Sequence, residues 1–99
     1  MSDMNELLKK AQVLQGELAR ALKNITVEAS AGGGMVKVTA DGEQNIVEIK
    51  IDPEVVSRDD IPMLEDLIVA AVNEAKRKAA EAAKQEIQKL AGFPLPGML

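Results

Sequence analysis

The feature that most constrains the fold is an alternation of apolar and polar residues over residues 25–53. It comes in three short runs, which are separated by Gly32-Gly33-Gly34 and by Asp41-Gly42. A period of two is typical of a strand with one buried face. An Asp-Gly pair between two such runs favours a tight hairpin, because both turn positions need positive φ. The stretch therefore predicts a three-stranded antiparallel meander over residues 25–51.

The two faces of the predicted sheet differ in their chemistry. One face is apolar and takes three residues from each strand: Ile25, Val27, Ala29, Val36, Val38, Ala40, Val47, Ile49 and Ile51. The other face carries hydroxyl groups and charges: Thr26, Glu28, Lys37, Thr39, Glu48 and Lys50. A small sheet with one apolar face must be covered by a second layer. The flanking segments are expected to supply that layer.

The segment before the sheet predicts a long helix over residues 3–23. It contains no proline, although Gly16 weakens it, and its apolar residues recur in steps of three and four: Met4, Leu7, Ala11, Leu14, Leu18 and Ala21. This is the heptad spacing of a coiled-coil seam. Such a helix is about 30 Å long, whereas a strand of six residues spans about 20 Å. Part of the helix is therefore expected to overhang the sheet.

A second long helix is predicted over residues 60–90, with Asp59 or Asp60 as its cap. Before it, Asp52-Pro53 predicts one capped helical turn. The first half of the helix is apolar enough to cover a sheet, and its second half is built from alanine and charge at heptad steps. An apolar tail with two prolines follows at residues 92–99. The predicted fold class is α+β, ordered α-β-β-β-α in a single domain over residues 1–99.

The composition leaves little material for a core. The chain of 99 residues is 46% hydrophobic, but its one aromatic residue is Phe93. Small chains with thin cores commonly gain burial by self-association, so a homodimer is expected. The sequence allows the two copies to join either through their sheet edges or through their helices. The polar, acidic start is unlike a signal peptide, and the longest uncharged apolar run, residues 67–72, is too short for a bilayer. A cytoplasmic protein without a membrane partner is predicted.

Several classes of chemistry are disfavoured by the residue types. Cysteine and histidine are absent, which excludes thiolates, imidazole bases and the usual zinc ligands. The three glycines lack the Gly-Lys-Ser/Thr ending of a phosphate loop. The acidic pairs Asp59/Asp60 and Glu65/Asp66 are explained by helix capping and the helix dipole. We therefore predict no enzyme activity, no cofactor, no metal and no small-molecule substrate.

Two groups of basic residues stand out against a net charge of −4, a total that by itself argues against a general nucleic-acid binder. The first group is Lys76, Arg77 and Lys78 with Lys84, and the second is Lys9-Lys10. Each is either a solvated helix face or a set of phosphate contacts along DNA. Single-strand binders stack bases on several aromatic rings, whereas this chain has only Phe93. Any nucleic-acid partner is therefore expected to be double-stranded.

A set of short motifs spread along nearly the whole chain is also recognisable. They are residues 30–39 (SAGGGMVKVT), 41–42 (DG), 51–53 (IDP), 63–68 (MLEDLI), 70–75 (AAVNEA), 77–78 (RK) and 95–98 (LPGM). In this order they resemble the YbaB/EbfC family of bacterial nucleoid-associated proteins.

The resemblance implies a homodimer with helices projecting from a joined β core. Such a protein binds double-stranded DNA with little sequence specificity, influences nucleoid organisation and gene expression, and catalyses no reaction. The motif match carries the family's basic stretch onto Arg77 and Lys78. The other candidate DNA-binding residues are inferred from charge: Lys76, Lys84, Lys9 and Lys10, with Arg20 and Lys23 further along the first helix. The alternative is a protein-interaction adaptor that uses the heptad seams and the apolar tail.

Overall fold

The computed structural model of the protein describes residues 2–91. Its elements are α1 (Ser2–Asn24), β1 (Thr26–Ala31), β2 (Val36–Asp41), β3 (Ile46–Ile51), two 3₁₀ turns (Pro53–Val55 and Arg58–Asp60) and α2 (Ile61–Ala91). The strands form one antiparallel sheet in the order β1-β2-β3. The predicted α+β class and α-β-β-β-α order are confirmed. The predicted tail at 92–99 lies outside the described residues.

The core lies between α2 and the apolar face of β1 and β2. Its buried members are small: Ala29, Val36, Val38, Ala40, Ala71, Ala75 and Ala79. The three alanines of α2 recur every four residues and so lie on one side of the helix, where short side chains let the helix backbone approach the sheet. The largest fully buried side chains among the described residues are Val36 and Val38. The core is as thin as the composition indicates.

α2 covers β1 and β2 but barely touches β3. In the β2–β3 register, Val36 pairs with Ile51 and Val38 with Ile49, so both isoleucines point to the same side as the core valines. Ile49 is nevertheless 43% exposed and Ile51 is 36% exposed. The third strand therefore presents an apolar surface that the described part of the chain does not cover.

The apolar side of β3 is irregular next to Val47, because Ile46 packs against the core in its place. The register shifts beside Ala40, which pairs with Ile46 instead of Val47. Ile46 packs against the core, whereas Val47 is 58% exposed. A β-bulge accounts for this, because it inserts one residue into the strand and reverses the alternation locally. The sequence could not reveal the shift, since both residues are apolar.

The two connections between strands use glycine differently. In the first, Gly32, Gly33 and Gly34 all have positive φ, at 66°, 68° and 96°. In the second, β2 ends at Asp41 and β3 starts at Ile46, and the residue with positive φ (66°) is Gln44. The predicted tight Asp-Gly turn, with positive φ at both of its positions, is therefore wrong. The connection is a longer loop.

Asp41 organises this longer loop through its carboxylate. Its Oδ1 accepts hydrogen bonds from the backbone N–H groups of Glu43 (2.8 Å) and Asn45 (3.0 Å), and its Oδ2 accepts one from the Asn45 side chain (3.2 Å). These bonds favour the charged form, so the pKa of Asp41 lies below its ordinary value, with the backbone N–H of Asn45 as the largest cause.

Gly42 is needed for space, because the end of α1 approaches the sheet here. Its N–H donates to the carbonyl oxygen of Leu22 at 2.8 Å. A Cβ at position 42 would lie 2.6 Å from the same oxygen. This backbone contact holds the C-terminal end of α1 against the β2–β3 loop. Beyond it, residues 3–15 are all exposed, and the described chain measures 68 × 23 × 16 Å. The predicted overhang of α1 is observed.

The link between β3 and α2 contains one cap that the sequence predicted, Asp52, and one that it did not, Ser57. The Asp52 side chain accepts from the Glu54 N–H at 3.0 Å and caps the first 3₁₀ turn. The Ser57 hydroxyl oxygen accepts from the Asp59 N–H at 3.3 Å and caps the second. Asp59 and Asp60 lie within that second turn, so α2 starts at Ile61, one residue later than predicted.

Candidate nucleic-acid interface

α1 and α2 leave the sheet in the same direction. α1 is anchored to the sheet at its C-terminal end, and α2 continues past the sheet after Ala79. Further out, Ile87 and Leu90 of α2 line a groove together with Leu14 and Leu18 of α1. The N-terminal half of α1 and the C-terminal half of α2 therefore project side by side, antiparallel, with solvent around both.

The three consecutive cations of α2 do not form one patch. Neighbouring residues of a helix are about 100° apart around its axis, so Lys76, Arg77 and Lys78 point to three different sides. All three are exposed. Arg77 shares its side of the helix with Lys84, seven residues further on, and Lys84 is half-buried. The cations that are consecutive in the sequence are therefore spread around the helix and do not share one surface.

Arg77 is held by Glu74, one turn earlier on the same helix. Its Nε donates to Oε2 of Glu74 at 3.1 Å and its Nη2 donates to Oε1 at 2.6 Å. This hydrogen bonding lowers the pKa of Glu74 and raises the pKa of Arg77. Exposed ion pairs of this kind are weak, because water screens both charges. A phosphate group can therefore compete with Glu74 for the guanidinium.

Lys78 has a structural contact that ties α2 to the sheet. Its Nζ donates to the backbone carbonyl of Glu28 at 3.0 Å, and Glu28 lies in β1, an edge strand of the sheet. An edge strand exposes unpaired backbone groups, and a lysine is one way to satisfy or protect them. The ammonium has three N–H donors, so it retains donors for a further contact.

The remaining predicted site residues form no ion pair in the described part of the chain. Within residues 3–90, no hydrogen bond or salt bridge is formed by the side chains of Lys9, Lys10, Lys76 or Lys84. Their positive charge is therefore available at the surface of the two projecting helices.

The basic residues of α1 lie on two adjoining surfaces. Lys9 and Arg20 border one shallow depression, together with Gln12, Val13 and Gly16. Eleven residues separate the two cations, which corresponds to about 16 Å along the helix. Lys9 also borders the next depression, together with Lys10, and Glu17 lies on its rim. Lys9 therefore lies between Arg20 on one surface and Lys10 on the other.

Sequence reasoning missed the two partners that restrain the α2 cations. Glu74 precedes Arg77 by three residues, and that spacing is itself a signal for an ion pair on a helix. The carbonyl of Glu28 is 50 residues from Lys78 in the chain, and no local pattern could have identified it. In residues 2–91 there is no group of acidic side chains suited to a metal ion, and no helix is sufficiently long and apolar to cross a membrane.

Exposed cations along two projecting helices are the electrostatic footprint of a protein that contacts a polyanion such as nucleic acid. The sequence matches the YbaB/EbfC DNA-binding family over residues 1–93. The chain belongs to this family.

Bacterial relatives cover almost the same length. A nucleoid-associated protein of Ruminiclostridium cellulolyticum is 50% identical over 97% of this chain and 88% of the relative. A nucleoid-associated protein of Acetivibrio thermocellus is 55% identical over 91% of this chain and 82% of the relative. The crystal structure of an uncharacterized protein from Helicobacter pylori has the same fold, with a TM-score of 0.76 and 23% identity over 93% of this chain and 97% of the other.

Proposed function

We propose that the chain binds double-stranded DNA as a homodimer, with little sequence specificity, and thereby influences nucleoid organisation and gene expression. The observation that carries the proposal is the set of unpaired cations, exposed or half-buried, on the projecting helices of a member of a DNA-binding family. Such cations contact phosphates, which are the same in every sequence. The protein acts by binding in the cytoplasmic nucleoid, and it catalyses no reaction.

The candidate contacts differ in how readily they reach a phosphate. Lys9, Lys10, Lys76 and Lys84 carry no direct partner in the described structure. Arg77 joins them by exchanging Glu74 for a phosphate oxygen. Lys78 keeps its bond to the sheet and contacts DNA through its remaining donors.

The dimer is proposed to form over β3. Ile49 and Ile51 of β3 lie on the core side of the sheet, but α2 does not cover them and they stay exposed. Among the described residues, no strand pairs with the outer edge of β3, whereas Lys78 contacts the opposite edge of the sheet at β1. A second copy placed over β3 would bury the isoleucines and pair the open edge, which supplies the burial that a thin core lacks.

The DNA contacts are tested by binding to mixed-sequence duplexes over a range of salt concentrations. Each phosphate contact contributes about 0.9 to the slope of log K against log salt concentration. The double variant Lys76→Gln/Lys84→Gln is expected to lose affinity for all sequences alike and to flatten the slope by about 1.8 per protomer. The matched control is Lys50→Gln, which removes a lysine from the polar face of the sheet, beside Glu48.

The outcomes separate the site from the function. If the double variant and the control lose the same affinity for each lysine removed, the DNA contacts do not lie at these positions of α2. Absence of binding by the unmodified protein, even at low salt, would refute the proposed function itself.

The dimer is tested by light scattering at several protein concentrations. The unmodified chain is expected at twice its mass of 10.6 kDa, and Ile49→Asp is expected to lower the association constant, because it places a charge in the proposed interface. A monomer at all concentrations, or an unchanged dimer in Ile49→Asp, would contradict pairing over β3.

The second candidate function is a protein-interaction adaptor. One observation favours it: the outer half of α1 exposes large apolar side chains, which DNA phosphates do not need. Deletion of residues 93–99 separates the two functions. Loss of a protein partner with unchanged DNA affinity and dimer mass would favour the adaptor.

A further inference from the structure

The outer half of α1 carries an apolar stripe with no partner in the described structure. We use "α1 stripe" for Met4, Leu7, Leu8 and Leu14, which are 60%, 62%, 56% and 58% exposed. By helical geometry they lie on the side of α1 away from Lys9 and Arg20. A cluster of exposed large apolar side chains marks a contact surface. The proposed DNA contacts leave this surface unused.

The chain itself passes the inner end of the α1 stripe. Leu14 and Leu18 line a groove with Ile87 and Leu90, near the end of α2. Because the two helices run antiparallel away from the sheet, the direction of α2 past Leu90 is the direction from Leu14 towards Met4. The described part of α2 therefore ends beside the inner end of the stripe, and eight residues of the sequence follow it.

The sequence of residues 92–99, GFPLPGML, is chemically suited to this surface. It has no charged side chain and contains Phe93, Leu95, Met98 and Leu99. Its two prolines disfavour a continued helix or a central strand. An extended polyproline-like segment keeps its backbone solvated and needs no hydrogen-bonding partner. Such a segment packs through its side chains, which is the kind of contact that an apolar stripe on a helix offers.

We infer that residues 92–99 pack lengthwise on the α1 stripe of the same chain. The lengths agree: Leu14 to Met4 covers about 15 Å of helix, and seven residues in an extended polyproline-like conformation cover about 20 Å. The tail is tethered at the inner end of the stripe, which gives it a local concentration on the order of millimolar. At micromolar protein concentration the tail of the same chain therefore outcompetes a second copy or another protein.

The inference is tested by disulfide crosslinking, which is clean in a chain without native cysteine. On the lengths above, the tail reaches the level of Leu7 near Leu95, so the test pair is Leu7→Cys with Leu95→Cys. The matched control is Gln12→Cys with Leu95→Cys, because Gln12 borders the depression of Lys9 and Arg20 on the other side of α1. Mild oxidation is expected to link the test pair within one chain and to leave the control pair unlinked.

Mixing isotope-labelled and unlabelled chains before oxidation identifies which chains are joined. Crosslinked peptides of a single isotope composition support the inference. Peptides of mixed composition would assign the stripe to the tail of a second copy and overturn it. Equal linking of the test and control pairs, or linking of neither, would show that the tail does not lie on the stripe and would leave the stripe to a protein partner.

A second measurement does not depend on introduced cysteines. Deletion of residues 92–99 is expected to raise hydrogen exchange in residues 4–14 and the binding of an apolar dye, while residues 36–41 in the sheet exchange as before. A second variant, Phe93→Ser/Leu95→Ser, keeps the length of the chain and removes two apolar side chains of the tail. It is expected to behave like the deletion. Unchanged exchange and dye binding in both variants would contradict the inference.

Discussion

Replacing Gly42 by alanine tests whether the contact between α1 and the sheet is as close as the structure shows. The backbone at Gly42 does not have positive φ, so alanine meets no conformational penalty there. The penalty comes from position, because a Cβ would lie 2.6 Å from the Leu22 carbonyl oxygen and 3.1 Å from two atoms of Ile25. The oxygen belongs to the backbone, so relief requires movement of the end of α1.

The expected cost of Gly42→Ala has two parts. Inserting an extra methyl group into a closely packed site costs about 1–3 kcal/mol. Displacing α1 weakens the hydrogen bond from the Gly42 N–H to the Leu22 oxygen, now 2.8 Å long, which contributes about 0.5–1.5 kcal/mol. The free energy of unfolding should therefore fall by about 2–4 kcal/mol. For a chain of this size, that lowers Tm by at least about 8 °C.

The assay is chemical denaturation followed by far-UV circular dichroism, with the protein concentration held fixed because a dimer links stability to concentration. Gly16→Ala is the matched control. A Cβ at this helical position would meet nothing within 4 Å, so the same substitution should raise stability by about 0.5–1 kcal/mol. A change of less than about 0.5 kcal/mol in Gly42→Ala would refute the close contact.

Three further predictions concern charged residues. Glu74→Gln removes the ion pair that a phosphate must displace from Arg77, so it should tighten duplex DNA binding by up to about fivefold and leave the number of phosphate contacts, and hence the salt slope, unchanged; Glu86→Gln, which removes the partner of Lys89, is the control, and equal effects in duplex-binding titrations would indicate net charge alone. Because the pKa of Asp41 is lowered in the folded state, its carboxylate stabilises the fold at pH values above the ordinary pKa of 3.8. This stabilisation is lost as the pH falls through the lowered pKa. Denaturation at a series of acidic pH values should therefore show that the free energy of unfolding falls less steeply with pH in Asp41→Asn, whose amide oxygen still accepts hydrogen bonds. An unchanged dependence on pH would contradict the role of the carboxylate. Lys78→Met should accelerate hydrogen exchange at the backbone of β1, as seen by mass spectrometry, whereas exchange equal to that of Lys76→Met would show that the bond to Glu28 is immaterial.

The parts of the structure that the sequence predicted are those set by periodic patterns. The alternation over β1 and β2, the glycine-rich first turn and the heptad steps of α1 each follow from local geometry. The errors lie where two local solutions are nearly equal. Ile46 and Val47 are both apolar, so either could face the core. Asp41-Gly42 fits a tight turn, but the loop is longer because Gly42 is needed next to Leu22.

The candidate site was predictable by residue type and much less so by arrangement. Charge and helical position identified Lys9 and Lys76, which are exposed, and Lys84, which is half-buried. The restraint on Arg77 was readable from the spacing to Glu74. The contact of Lys78 with the carbonyl of Glu28 depends on how α2 crosses the sheet, which no short-range pattern encodes.

The contact of Lys78 with β1 bears on how large an assembly of this chain can become. A sheet with two open edges can add copies without limit and grow into a fibre. Here Lys78 of the same molecule occupies one backbone carbonyl of β1, which guards that edge and favours addition of a copy at β3. Two copies joined there would form a six-stranded sheet with β1 and its lysine contact at both ends. Further growth would be disfavoured, and the assembly would carry two pairs of projecting helices.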